Sequence, residues 1–470
     1  MYLENPAGKG SGSEALRRLQ TYRYLSLSLG KADPVPEDFF SPGQGIRASR
    51  GPARTGESLS SLEVGTRVDT LLATLPLHWG KKLFSSDSSE ADAVYGELEV
   101  LFEKSAGPSS ELYNAHLASL EEKLPVPGIT DPIELASDES GFPAEALNRL
   151  VSRLECSQSC SSKYRRRASD SSLRGTEPVS ISFENAESLV CAAADCLGVE
   201  IGDAAREIFL QNWVDAEPRP GKRGGAFTHP GQGIGHPFVF LNYTGGLRDV
   251  VTLGHEIFHG IHFLLRGSDA PAPGIPEMEM ISTLGEFFVL KQIQAEGMDP
   301  EGTCSAGAEY PLPRGFAELL CLKVYRQACL FQTEREFLHS YREEGRITRE
   351  KLEEIWRRRM GQFYPGSSPV PESYGRFWIT NRHFFHFPFY GINYSLGGIL
   401  ALYILRCWKE HPGAAGEQLF SLMSLNQNVS AGELIMRFFP ASDYAEILGS
   451  GLDFLENEVT AEGTESGRDT

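Results

Sequence analysis

From residue 179 onward, the apolar positions of the chain recur three and four apart. The pattern holds over residues 183–197, 203–215, 247–266, 277–296, 311–337, 348–363 and 384–408, the period of helices that bury one face. One short run departs from it: residues 238–243 (FVFLNY) are rich in β-formers and lie between a Gly/Pro segment and a Thr244-Gly245-Gly246 turn, so they read as a strand. Upstream the patterning is weaker. Helix-like stretches at 13–29, 91–104 and 110–123 alternate with Gly/Pro/Ser-rich breaks at 33–60 and 125–141. Residues 156–178, with a basic cluster at Arg165–Arg167, read as a linker. Residues 456–470 are polar and acidic and read as a disordered tail. The prediction is a mainly α fold with a small β element, organised as an N-terminal helical and irregular region (1–175), a main domain (176–455) and the tail.

Composition narrows the partners. Hydrophobic residues make up 41% of the chain, enough for a real core. Asp and Glu number 63 against 44 Lys and Arg, a net charge of −19, which disfavours nucleic acid and anionic lipid. No apolar run reaches the roughly 18 residues of a membrane span, and the N-terminal residues lack the apolar core of a signal peptide. The expectation is a soluble cytoplasmic protein. The eight cysteines are irregularly spaced, without a CxxC pair, and read as reduced, mostly buried thiols.

The candidate chemistry lies in His255-Glu256-Ile257-Phe258-His259. At about 100° per residue on a helix, His255 and His259 stand one turn apart on the same side. Two imidazoles so placed can share one Zn²⁺ at roughly 2.0–2.1 Å. Glu256 points about 100° away, where its carboxylate can reach a water on that metal. The opposite side carries Val250, Leu253, Ile257, Ile261 and Leu264 and should be buried. A β-prone run ending in a Gly-Gly turn before such a helix is the zincin-type arrangement. Zinc needs a third protein ligand, with the fourth position left for water. A third His ten residues after the first is excluded, since that position is Leu265. The following helix offers Glu279 and Glu286 on one face; one could bind metal while the other orients a ligand. His262 reads as a supporting group and Glu277 as an exposed acidic position.

Several segments, in order, resemble oligoendopeptidase F and its thimet-oligopeptidase relatives. They are Gly221-Lys222-Arg223-Gly224-Gly225-Ala226-Phe227, Leu241-Asn242-Tyr243-Thr244-Gly245, the HExxHxxH helix, and Glu279-Met280-Ile281-Ser282-Thr283-Leu284-Gly285-Glu286. A weaker match continues over residues 383–397. The resemblance implies a multi-helix zincin-type metallopeptidase with one Zn²⁺ per chain at the base of a deep substrate channel, hydrolysing internal bonds of short unstructured peptides by metal-activated water. Position by position, it implies His255, His259 and Glu279 as ligands, Glu256 as the base and Glu286 as the carboxylate that supports a ligand. His383, Tyr390 and Tyr394, with His386 as a further candidate, would steady the tetrahedral intermediate.

The chain also departs from the family pattern. Phe258 replaces a usual Gly, Gly285 replaces a usual Asn, and Ile392 sits where an oxyanion-stabilising Tyr is expected. These departures keep two alternatives open: a zinc-containing peptide-binding protein of the same fold with impaired turnover, and a metallocarboxypeptidase. Residues 238–243 read either as an edge strand that pairs with substrate or as an ordinary buried strand, the Gly-rich stretch with His229 and His236 either as a loop that could close over substrate or as a plain turn, and residues 1–175 as an atypical region that could form an altered lid. Oligomeric state is left open.

Overall fold

The structure is a computed structural model. It describes residues 103, 106–121, 131–156, 180–219, 222, 225–231, 233–267, 270–296, 319–363, 372–381, 383–386 and 388–465. The predicted stretch 13–29, the break at 33–60, nearly all of 91–104 and nearly all of the linker 156–178 lie outside these residues. The chain forms two compact units, one of residues 1–127 and 379–387, the other of residues 128–378 and 388–470. In the first unit, residues 106–121 are helical, overlapping the predicted 110–123 stretch and beginning upstream of it. Tyr113 there packs edge-on against Phe385, ring centroids 5.3 Å apart, in the single turn His383–His386.

The second unit opens with two helices, α1 (Pro132–Ser140) and α2 (Ala144–Cys156). The segment 125–141 was expected to be a break, because it is rich in Pro and Gly. Those residues instead mark a start and a stop. Asp131 accepts a hydrogen bond from the Ile133 amide at 2.9 Å, Pro132 occupies the first turn, where its missing N–H costs nothing, and Gly141 closes the helix in the left-handed region. Both helices are tied into this unit. Asn393 donates to Glu139 at 2.8 Å in the interior, and Arg153 donates to Glu456 at 2.8 Å.

Next come α3 (Phe183–Asp195) and α4 (Val199–Leu210). The helix predicted over 203–215 begins earlier and stops sooner. Asn212 turns the chain with φ 56°, and Val214–Asp215 becomes strand β1. With β2 (Phe227–His229) and β3 (Phe238–Phe240) it forms a sheet of order β1-β3-β2, β3 parallel to β1 and antiparallel to β2. The predicted strand 238–243 is therefore shorter and central, with its two sides already paired; β1 and β2 are the edges. Lys222 fastens this sheet. Its ammonium is almost wholly buried, donates to the carbonyls of Asp215 (2.9 Å) and Leu241 (2.7 Å), and lies over the Phe240 ring.

The remainder is helical: α5 (Leu247–Arg266), α6 (Ile275–Ala295), a π-helical turn at Leu322–Arg326 continuing into α7 (Gln327–Glu344), α8 (Arg349–Phe363), α9 (Gly391–Glu410), α10 (Pro412–Met423), α11 (Ala431–Phe438) and α12 (Tyr444–Glu465). The result is a mostly helical fold with one small sheet. α6 and α9 pack against each other at its centre, and both are apolar on nearly all sides. α5 is amphipathic, and Val250, Leu253, Ile257 and Ile261 are fully buried. α12 runs on to Glu465, into the segment that composition reads as a disordered tail. No helix among the described residues is long and apolar enough to cross a membrane. No disulfide joins the described cysteines, of which Cys321 and Cys329 are buried while Cys156 and Cys196 are exposed.

Glu277 is not on an exposed face. It is fully buried at the start of α6, where its Oε1 lies 3.0 Å from Arg266 Nη1 and 3.1 Å from His262 Nε2, both on α5. Arg266 also donates to the carbonyls of Pro271 and Gln427. The group locks the ends of the two helices together. Removing its one carboxylate by Glu277→Ala would leave a buried guanidinium without its counter-ion, and should cost about 3–5 kcal/mol in a chemical denaturation titration.

Candidate functional site

α5 begins without a capping side chain, because Gly246 occupies the N-cap. Asp249, in the first turn, supplies the acceptor instead. Its Oδ2 takes hydrogen bonds from the Thr244 amide (2.8 Å), the Thr244 hydroxyl (2.6 Å) and the Gly246 amide (3.2 Å). This fixes the phase of α5. Its apolar side then meets the core, and His255 and His259 fall on the side that faces α6.

The two Nε2 atoms are 3.2 Å apart, with rings perpendicular. Glu279 Oε2, from α6, is 3.9 Å from His255 Nε2. The donor atoms of the three residues all lie within 4.8 Å of one another. Two nitrogens bound to one tetrahedral zinc at 2.0–2.1 Å would be about 3.3 Å apart, so the imidazole pair fits that ion. The buried Glu279 Oε2 has no hydrogen-bond partner among the described residues, as a carboxylate set aside for a cation would.

Behind the pair is a support. His255 Nδ1–H donates to Glu286 Oε1 at 2.7 Å, which leaves Nε2 as a lone-pair donor. Glu286 Oε1 is in turn 2.8 Å from Lys323 Nζ, and Lys323 also donates to the Thr283 hydroxyl at 3.1 Å. That hydroxyl donates to the Glu279 carbonyl at 2.6 Å. Burial works against a charge on Glu286, but Lys323 and His255 outweigh it and hold the carboxyl below the usual carboxylate range. Burial and Lys323 likewise oppose a proton on His255, yet Glu286 and Glu279 lift it above the ordinary imidazole value. His259 is pushed far down, first by burial and then by His255.

Glu256 is 5% exposed. Burial raises its carboxyl to about 7 against the pull of His255 and Thr228. The Thr228 hydroxyl, on edge strand β2, lies 2.8 Å from Glu256 Oε2 and from the Glu256 carbonyl. Tyr394, one turn into α9, is half-buried beside these groups. Burial first, and then the Glu279 and Glu256 carboxylates, raise its phenol far above its ordinary value, while a hydrogen bond to Tyr390 acts the other way. The two tyrosine rings meet edge to face at 4.6 Å.

The structure therefore gathers His255, His259, Glu279, Glu256, Glu286, Tyr394 and Tyr390. His383 lies in the single turn His383–His386, which belongs to the other unit; the His386 side chain is outside the described residues. Ile392 is fully buried in the core, and the phenol beside the carboxylates comes from Tyr394. Of the two histidines read as loop residues, His229 ends strand β2 and its Nδ1 accepts from the Gly231 amide at 2.9 Å, while His236 stacks on Trp213 at 4.2 Å. His262 Nε2 lies 3.1 Å from Glu277, away from the three candidate ligands. Sequence reasoning missed Thr228 and Lys323. Thr228 directly follows the GKRGGAF segment and alternates with two residues that face the other way, a signal that was available. Lys323 had none, because a lysine in a helical pattern ordinarily marks a solvated face. It lies within the π-helical turn Leu322–Arg326.

Two of the departures from the family pattern prove to be one feature. A Cβ on Gly285 would come within 2.4 Å of the Phe258 ring. Phe258 is fully buried and takes the space that a side chain at 285 would fill. The exchange is steric and lies in the α5–α6 contact. α9 closes on α6 in the same way at Gly397, where a Cβ would lie 2.5 Å from the Glu279 Cβ.

Comparison with known proteins places the chain. The pattern that defines peptidase family M3 matches residues 180–420. An oligoendopeptidase F homolog of Borreliella burgdorferi is 27% identical over 248 residues, which is 52% of this chain and 41% of that protein. This chain thus spans about two fifths of that relative's length. The crystal structure of a putative peptidase from Chlamydophila abortus superposes with a TM-score of 0.64 at 18% identity, covering 81% of this chain and 66% of that one. An M32 carboxypeptidase from Deinococcus radiodurans R1 shares the fold at a TM-score of 0.52 and 13% identity, over 97% and 85% of the two chains.

The steric exchange can be tested by a double-mutant cycle. Gly285→Asn alone should clash with the ring, and Phe258→Gly alone should open a cavity, at about 3–5 kcal/mol for the latter. The double substitution should cost less than the sum by about 1–3 kcal/mol in equilibrium unfolding.

Proposed function

The chain belongs to peptidase family M3, and on that premise we propose that it is a zinc-dependent oligoendopeptidase, hydrolysing internal bonds of short unstructured peptides. The observation that carries the proposal is the placing of three donors, His259 and Glu279 buried and His255 half-buried, at metal-ligand spacing beside a carboxyl raised to about 7. His255, His259 and Glu279 would hold one Zn²⁺, since two imidazoles and a carboxylate suit that ion. When bound, the cation supplies Lewis acidity toward a water and toward the carbonyl of the scissile bond.

The remaining work falls to the chain. Glu256 takes a proton from the attacking water and delivers it to the leaving amine; a group that titrates near neutrality serves both half-steps. Thr228 steadies that carboxylate from β2. Tyr394, kept protonated by its surroundings, donates to the oxygen on which charge develops, with Tyr390 supporting it. Glu286, itself held by Lys323, keeps His255 in the one tautomer that leaves Nε2 free to coordinate. The outer edge of β2, carrying the Thr228 that touches the base, offers backbone groups to an extended peptide. A carboxypeptidase would need a cation offered to the terminal carboxylate of its substrate; among the described residues, the cation that contacts the ligand-supporting Glu286 is Lys323, which is committed to Glu286 and Thr283.

Mixed internally quenched peptides should be cut at internal bonds, as read from product masses, and a chelator should abolish the activity until Zn²⁺ is restored. Glu256→Gln should retain zinc and lose about 10²–10⁴-fold in turnover. Chelator-insensitive cleavage, or an active Gln variant, would refute the assignment. The metal affinity should also depend on pH. His255 in the metal-free site keeps its proton to a pH above the ordinary imidazole value of about 6.5. Zinc requires that proton to leave, so affinity rises as pH rises through this value. Dialysed protein should retain more zinc at about pH 7.5 than at about pH 5.5, by elemental analysis.

A further inference from the structure

Glu334, on α7, belongs to neither the candidate ligands nor the groups around them, yet it is 1% exposed. A carboxyl at such a place needs a partner to offset its lost hydration. Both of its oxygens lie 3.1 Å from the backbone amide of Phe389. Phe389 has φ 62°, the left-handed region that a bulky residue adopts only when its surroundings impose it. Tyr390 comes immediately after it as the N-cap of α9, and Tyr394 stands one turn further on.

The contact is one of three along a single face of α7. A Cβ on Gly391 would come within 2.4 Å of the Gln327 carbonyl. The Phe331 ring meets the Phe389 ring edge to face at 6.5 Å. Glu334 completes the row, seven residues from Gln327 on the same side. Backbone, ring and carboxyl together hold the turn from which α9 starts.

We propose that Glu334 is a positioning residue: its carboxyl fixes the left-handed turn at Phe389, and with it the angle at which the start of α9 presents the Tyr390–Tyr394 pair to the scissile bond. The inference rests on the reading of Tyr394 as the oxyanion donor. Glu334 itself touches no reacting atom.

The test compares Glu334→Gln, which keeps an acceptor for the Phe389 amide, with Glu334→Met, which keeps bulk and loses the acceptor, in the full-length zinc-loaded protein. Turnover of a quenched nonapeptide should fall roughly 10- to 100-fold in the Met variant. KM and zinc content should hold and the Gln variant should retain most of its turnover. Hydrogen exchange over residues 388–394 should quicken in the Met variant and not in the Gln variant. The inference is overturned if the Met variant turns over normally, if Gln loses as much as Met, if zinc is lost, or if exchange is unchanged. If the wild-type protein cleaves nothing, it is the peptidase reading that fails, and the exchange comparison alone decides whether Glu334 holds the turn.

Discussion

Confining two imidazole nitrogens and a carboxylate oxygen within 4.8 Å of one another, largely away from water, is electrostatically and sterically expensive. The surrounding structure is arranged to sustain that convergence. Asp249 sets where α5 begins, Glu286 and Lys323 fix one imidazole from behind, and Gly285 and Gly397 let three helices approach until their side chains meet. The buried Arg266–Glu277 pair ties the far end of α5 to the near end of α6. Each contact fixes a helix in one of the ways it could otherwise slide or turn, and the donor atoms meet because few such movements remain.

Much of this is legible in the chain. The HExxH spacing and the apolar stripe opposite it determine which side of α5 is buried, because both reflect the period of a helix. Glu279 and Glu286 share a face for the same reason. What pattern cannot convey is contact between elements distant in sequence. The strand at 238–240 reads correctly as a strand, but its place in the sheet depends on β1 and on residues 227–229, two and three residues long, too short to leave a period. Glu277 reads as solvated because its partners, Arg266 and His262, lie on another helix. The Pro132 and Gly141 punctuation reads as a break because the same two residues serve loops and helix ends alike.

The aromatic segment is the least legible. Its residues resemble one another, so spacing cannot say which points where. Phe389 takes the left-handed conformation just before α9, a turn that spacing does not announce; Ile392 goes to the core and the phenol beside the carboxylates is that of Tyr394. The two units of the chain also divide within this stretch, which places His383 with one and the tyrosines with the other.

The exchange between Phe258 and Gly285 bears on how such a site can change over generations. A lineage that altered these positions one at a time would have two routes between packings. One passes through a hole, with glycine at both places, where neighbouring groups can relax inward. The other passes through a collision between a ring and a side chain, in two helices that cannot separate without scattering the histidines and the glutamate. Only the first keeps the protein working at every step, so the order of mutation is constrained even though neither residue takes part in the chemistry.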